Sequence, residues 1–139
     1  MYLHMLMRET EDHFRLLGDA SRIRILMLLS RRELCVCQIM GVLGMSQPLV
    51  SRNLSLLFKA GYLADRREGK MMFYSLGKKL PEPHRTLIRL LQKELRKTEQ
   101  FKRDLTSLEE CTEYQKASGK CDMKTFLAYM KRNKRGTVR

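Results

Sequence analysis

Two cysteines stand one residue apart, in Glu33-Leu34-Cys35-Val36-Cys37-Gln38. Thiolates are soft ligands, so such a pair suits As(III), Sb(III), Cd(II) or Pb(II) better than a hard cation. The spacing raises a geometric problem. In a regular α-helix, residues two apart point about 200° apart, because the period is 3.6 residues. The two sulfurs meet on one ion only where the first helical turn is irregular or unwinds. A helix N-terminus also lowers thiol pKa and favours the nucleophilic, metal-binding thiolate. The histidines, His4, His13 and His84, lie far apart in sequence with no catalytic motif around them. We find no Ser-His-Asp arrangement, phosphate-binding glycine loop or paired carboxylates, which argues against an enzyme.

The surrounding elements decide whether that pair can signal. Residues 8–17 read as a helix that ends at Gly18, and Asp19 can cap the next one. That second helix runs from Ala20 with a wide apolar face over Ile23, Ile25, Leu26, Met27, Leu28 and Leu29. A short helix over about 36–43 follows the cysteines and closes at Gly44. Ser46 is a good N-cap and Pro48 sits in the first turn, where its missing N–H costs nothing. This helix carries Leu49, Val50, Leu54, Leu56 and Leu57 to Ala60, and Gly61 terminates it. Residues 62–66 and 71–76 then read as the strands of a hairpin turning through Arg67-Glu68-Gly69-Lys70. Pro81 and Pro83 open a long amphipathic helix carrying Leu87, Leu90, Leu91 and Leu95, extending to about Leu105. Beyond it, Asp122 can cap a helix with Phe126, Leu127 and Met130, and the end of the sequence is basic.

The formal net charge is +13 in 139 residues. A surplus that large favours a polyanionic partner, nucleic acid or an anionic membrane surface. The cations are spread over several elements, whereas a membrane-surface helix concentrates them on one. No apolar run approaches the ~18 to 20 residues that a membrane span needs, and no signal peptide is evident at the start. A cytoplasmic protein is therefore expected, with reduced thiols rather than disulfides. Short helix, tight turn, second helix and hairpin is the order of a winged helix-turn-helix, whose second helix lies in the major groove. Its leading residues here are Ser46, Gln47, Pro48, Val50, Ser51, Arg52 and Asn53. Gln and Asn can pair with adenine and Arg with guanine, while Arg66, Arg67 and Lys70, crowded around Gly69 on the hairpin, can reach phosphates or the minor groove.

These segments together resemble the ArsR/SmtB family of bacterial metal- and metalloid-sensing repressors. The likeness rests on residues 33–38, Ser46-Gln-Pro-Leu-Val-Ser-Arg-Asn-Leu54, Leu56-Leu57, Ala60-Gly61-Tyr62-Leu63, Arg67-Glu-Gly-Lys70 and Tyr74-Ser75-Leu76, and spans about residues 10–100. Asn53 stands where this motif commonly has histidine. The resemblance implies a homodimer built from the first and last helices, and release of operator DNA when an inducer binds. In arsenic-sensing members the cysteine segment is similar to Cys-Val-Cys-x-x-Cys. Here the third position is Met40, a neutral thioether. Cys111 and Cys121, in the C-terminal part, are the candidate third thiolates, from either subunit. The family's zinc pattern on the dimer helix is matched only by Glu82-x-His84. Its second half falls on Leu95 and Thr98, so a zinc sensor of that kind is not expected.

The sequence thus predicts a mainly α, dimeric winged helix-turn-helix with a small β-hairpin. Residues 1–105 would bind DNA and dimerise, and 106–139 would form an extension with a basic tail. The expected function is metal(loid)-responsive repression, with double-stranded operator DNA as partner, no cofactor for DNA binding, no membrane, and As(III) or Sb(III) as inducer. The alternative is a thiol-redox regulator of the same fold, its cysteines oxidised rather than metallated.

Overall fold

The structure, a computed structural model, describes residues 2–118. The tail helix expected beyond Asp122, the basic end and Cys121 lie outside the described residues. The elements run α1 (Tyr2–Leu17), α2 (Ala20–Leu29), β1 (Leu34–Cys35), α3 (Val36–Leu43), α4 (Gln47–Lys59), β2 (Leu63–Glu68), β3 (Met71–Leu76), α5 (Glu82–Leu95) and α6 (Glu99–Ser118).

Helix α2 is the hub. Asp19 caps it, its carboxylate accepting the Arg22 amide at 3.1 Å, and the unbroken run Ile25–Leu29 is buried. A helix apolar on all sides is one surrounded on all sides, and α2 packs against α1, α3, α4, α5 and α6. Its Arg24 binds both carboxylate oxygens of Asp104 at 3.0 Å and the Leu43 carbonyl at 3.1 Å. One guanidinium therefore joins α2, the end of α3 and α6. A buried carboxylate such as Asp104 is tolerated because that fork satisfies it.

Three features differ from the sequence expectation. Helix α1 begins at Tyr2 rather than near residue 8. The added residues before Arg8 include Leu3, Met5, Leu6 and Met7, of strong helix-forming types, and all four are exposed. The expected helix to Leu105 is two helices. The Thr98 hydroxyl donates to the Leu95 carbonyl and accepts the Phe101 amide, so Thr98 ends one helix and caps the next. A domain boundary at 105 would fall inside α6, which is one continuous helix to Ser118.

The third difference is a third strand. The antiparallel sheet has the order β1-β3-β2, with Leu34 opposite Tyr74 and Cys35 opposite Phe73. The hairpin of β2 and β3 turns through Gly69 and Lys70, with Glu68 opposite Met71. Gly69 has φ +61° and, among the described residues, no non-glycine residue has positive φ, the pattern of a II′ turn with glycine first. No described helix is long and apolar enough to cross a membrane.

A candidate nucleic-acid interface and a buried cysteine pair

Helix α4 has two faces. Val50, Asn53, Leu54 and Leu57 are buried, the i, i+3, i+4, i+7 stripe of a helix resting on a core. Ser46, Gln47, Pro48, Ser51 and Arg52 are exposed at its start, with Ser55, Phe58 and Lys59 further along. The Ser46 hydroxyl accepts the Leu49 amide at 3.4 Å. Two residues expected to face a groove therefore do not. Val50 belongs to the core, and Asn53 is only 2% exposed, its Oδ1 accepting from Arg22 at 3.2 Å. The helical period places 53 three residues after Val50, on the inner face. An amide side chain there braces α4 against α2.

The hairpin separates its cations in the same way. Arg66 binds Glu33 through two nitrogens and Glu68 at 2.8 Å, and its guanidinium lies 4.8 Å from the Phe73 ring centre. The Arg66 hydrogen bonds hold the Glu33 carboxyl below its usual range. Arg67 and Lys70 are exposed, and among the described residues neither forms an ion pair. The cationic surface of the hairpin tip is theirs.

Cys35 resolves the spacing problem of the cysteine pair. It is not in the helix: it closes β1 and serves as N-cap of α3, with extended backbone at φ −90°, ψ 169°. Cys37 is the second residue of α3, and the two sulfurs stand 2.9 Å apart. Both side chains are buried. Gln38 fixes the arrangement, its Oε1 accepting the Cys35 amide at 2.9 Å while the Cys35 sulfur faces the Gln38 amide in a reciprocal capping box. Amide N–H groups at a helix start favour the thiolate. Metal–sulfur bonds of ~2.3 Å require the sulfurs to open by only a fraction of an ångström to about an ångström.

The pair is wired in two directions. Through β1 it is hydrogen-bonded to β3, and the Glu33–Arg66 bridge ties the same segment to β2. Through α3 it leads to Gly44, whose φ of +68° makes the turn into Met45 and the cap of α4. Sequence reasoning missed β1, Glu33 and Gln38; the one available signal was the S/T-x-x-Q-like spacing of Cys35 and Gln38. Cys111 is completely buried on α6. Among the described residues, no three His, Cys, Asp or Glu side chains are gathered as a ready-made ion site.

A second polar cluster lies behind α4. The His13 Nδ1 and the Tyr62 hydroxyl are 2.7 Å apart, and the His13 and His84 ring centres 4.6 Å. The His84 Nε2 donates to the Ala60 carbonyl at 2.8 Å, which leaves a buried, unpartnered Nδ1. Burial raises the Tyr62 phenol to about 12, so it keeps its proton. Burial, and then the neighbouring His84, push the His13 pKa down; Glu9 and Asp12 oppose this.

Helix, turn, helix and hairpin packed on a helical hub define a winged helix-turn-helix protein. The model of the arsR family of bacterial regulatory proteins matches residues 19–65. The arsenical resistance operon repressor of Escherichia coli is 45% identical over 69 residues, 49% of this chain and 59% of that one. This chain thus spans less than two thirds of that relative's length. An uncharacterised HTH-type transcriptional regulator of Methanocaldococcus jannaschii is 42% identical over 62 residues, 44% of this chain and 70% of its own. A homodimeric winged helix-turn-helix DNA-binding domain from Mycobacterium bovis, a possible ArsR-family regulator, superposes with a TM-score of 0.56 at 28% identity, over 66% of this chain and 82% of that one. The chain belongs to the ArsR family of regulatory proteins.

Proposed function

We propose that the chain is a metal(loid)-responsive transcriptional repressor that binds operator DNA as a homodimer and leaves it when As(III) or Sb(III) binds Cys35 and Cys37. The observation that carries this reading is the 2.9 Å approach of two buried sulfurs where the recognition helix and the wing both take their support. The name of the E. coli relative concerns arsenical resistance, and two thiols have the softness that As(III) and Sb(III) select, with Cd(II) and Pb(II) next.

The DNA-reading surface is the exposed start of α4: Ser46, Gln47, Pro48, Ser51 and Arg52. Gln47 and Arg52 carry the base-reading chemistry, and Arg67 and Lys70 on the wing take backbone phosphates. Exposed Leu3, Met5, Leu6, Met7 and Phe14 on α1, with Leu90 on α5, give the apolar face that a two-fold partner covers. Two recognition helices then meet successive major grooves, so the operator is an inverted repeat.

Release follows from linkage. An inducer shifts the equilibrium only by its differential affinity for the DNA-free and DNA-bound forms, with typical couplings of about 1–3 kcal/mol. Opening the sulfur pair displaces Cys35 against Phe73 and the first turn of α3, and so disturbs the wing and the α3–α4 turn together. The step itself is balanced: As(OH)3 and two thiols give an As(III) dithiolate and two waters.

The short sulfur contact also suits the redox reading, in which a peroxide oxidises the pair to a disulfide and is itself reduced to water. One titration separates the two. Reduced protein on duplex DNA from upstream of its own gene is challenged anaerobically with As(III), Sb(III), Cd(II) and Zn(II). Release by As(III) or Sb(III) without oxidant supports the metalloid reading. Release by peroxide alone overturns it in favour of the disulfide.

A further inference from the structure

We infer that Cys111 on α6 is the third thiolate, which makes the site a three-sulfur As(III)/Sb(III) centre closed by the C-terminal helix. This rests on the cysteine-pair reading above and deepens it. Two arginines fix how α6 lies on α3. Arg24 joins Asp104 to the Leu43 carbonyl at the end of α3. Arg32, three residues before Cys35, donates to Thr112 and Gln115. The later part of α6 therefore lies against the beginning of the cysteine segment, and the two helices run antiparallel.

That register can be counted. At 1.5 Å per residue, Cys37 lies about 9 Å back along α3 from Leu43, and Cys111 about 10 Å along α6 from Asp104. Both distances are measured from the same Arg24 anchor in the same direction, so Cys111 reaches the level of Cys37. It also points inward. Asp104, Leu108 and Cys111 are the buried residues of α6, on one stripe at i, i+4, i+7. Thr112, the next residue after Cys111, is held by Arg32 beside the strand that ends in Cys35. All three cysteines are thus buried, and the helices that carry or follow them, α3 and α6, pack on one another.

Chemistry supplies the reason for a third sulfur. Two thiolates leave one hydroxide on As(III). A third displaces it: As(OH)3 and three thiols give As(SR)3 and three waters, with no change of oxidation state. Met40, on the turn after Cys37, is a thioether without charge and cannot serve. Among the described residues no three ligands are already gathered as an ion site, so closing the third bond shifts α6 against the α3 on which it packs, and this adds the α6 contact to the differential between the DNA-free and DNA-bound forms.

The test uses the full-length reduced chain and native mass spectrometry after addition of As(III). A three-thiolate adduct is one water lighter than a two-thiolate adduct that retains hydroxide. The wild type should give the lighter adduct, and so should Cys121→Ser. Cys111→Ser and Cys111→Ala should give the heavier adduct and bind As(III) more weakly on the order of 10- to 100-fold, at least what loss of an outer-shell partner costs. Phenylarsine oxide, which takes two thiolates because its aryl group occupies the third position, should bind all four proteins alike. A heavier adduct in the wild type overturns the assignment, as does a lighter one in both Cys111 variants. Loss of the third bond in Cys121→Ser alone also overturns it. If phenylarsine oxide fails to bind even the wild type, the cysteine-pair reading falls and the three-sulfur site falls with it.

Discussion

The two helices of the helix-turn-helix are adjacent in sequence and opposite in exposure. In α3, six of eight residues are buried: Cys37, Gln38, Ile39, Gly41, Val42 and Leu43. In α4 a single stripe of four is buried, and the rest of a 13-residue helix faces out. Under the proposed function the exposed helix offers side chains to a large polyanion, which can reach only a surface. The buried one carries Cys37 and is capped by Cys35, and under the proposed function these thiols take a small ion where a low-dielectric interior and fixed amide dipoles strengthen each interaction. A signal received at the cysteine pair, as proposed, must alter packing to be read in α4, because that helix buries only one stripe.

The sharpest way to break this contrast is to put charge on each face of α4. Val50→Asp should cost about 3–5 kcal/mol, the scale for an unpaired buried charge, and lower the urea midpoint steeply. Ser51→Asp, one residue on, should leave the midpoint nearly unchanged and abolish DNA binding by repulsion. If the two variants are equally stable, the assigned faces are wrong.

Next in size are the base-reading side chains. Gln47→Ala and Arg52→Ala should each weaken specific binding by roughly 1–3 kcal/mol if the contact is bidentate, with stability unchanged. Asn53→Ala should do the reverse, losing a buried hydrogen bond of about 0.5–1.5 kcal/mol while sequence preference stays the same. A change of operator preference in Asn53→Ala would return that residue to the DNA surface.

The wing gives a smaller effect. Arg67→Ala or Lys70→Ala should reduce the salt slope of DNA binding by about one unit for each phosphate that the side chain neutralises. Arg66→Ala should leave the slope nearly unchanged, because its guanidinium already binds Glu33 and Glu68. Equal slopes for all three would show that Arg66 also meets phosphate.

The weakest expected effect is a pH dependence behind α4. Burial and His84 hold the His13 pKa below its ordinary 6.5, so the folded chain keeps it neutral while the unfolded chain protonates it. Its contribution to stability is complete above pH 6.5 and is lost as pH falls through the lowered value. The wild type should lose more stability than His13→Gln between about pH 7 and about pH 5. An equal loss would assign the pH dependence to other groups.

Much of this was legible in the sequence. Asp19, Ser46 and Gly61 punctuate helices through local backbone chemistry, and Gly69 marks its turn in the same way. What was not legible depends on distant partners. Cys35 is extended because it pairs with Phe73, and a two-residue strand is too short to show alternation. The break at Thr98 has no Gly or Pro to announce it; a hydroxyl makes it, and α6 is held in its new direction by Arg24 and Arg32. Asn53 reads as a groove residue by its type, yet Arg22, in another helix, gives it a place inside. The convergence of Cys35 and Cys37 was the hidden feature with most consequence, since their spacing in regular helix would set them apart.

Whether those two thiols carry the signal is tested directly by operator binding followed by fluorescence anisotropy. Reduced wild type, Cys35→Ser and Cys37→Ser are bound to the same upstream duplex at fixed salt and titrated with As(III). All three proteins should bind with similar affinity before As(III) is added; only the wild type should then release the DNA, and the serine variants should stay bound. Release of Cys35→Ser and Cys37→Ser at the same As(III) concentration as the wild type would contradict the account.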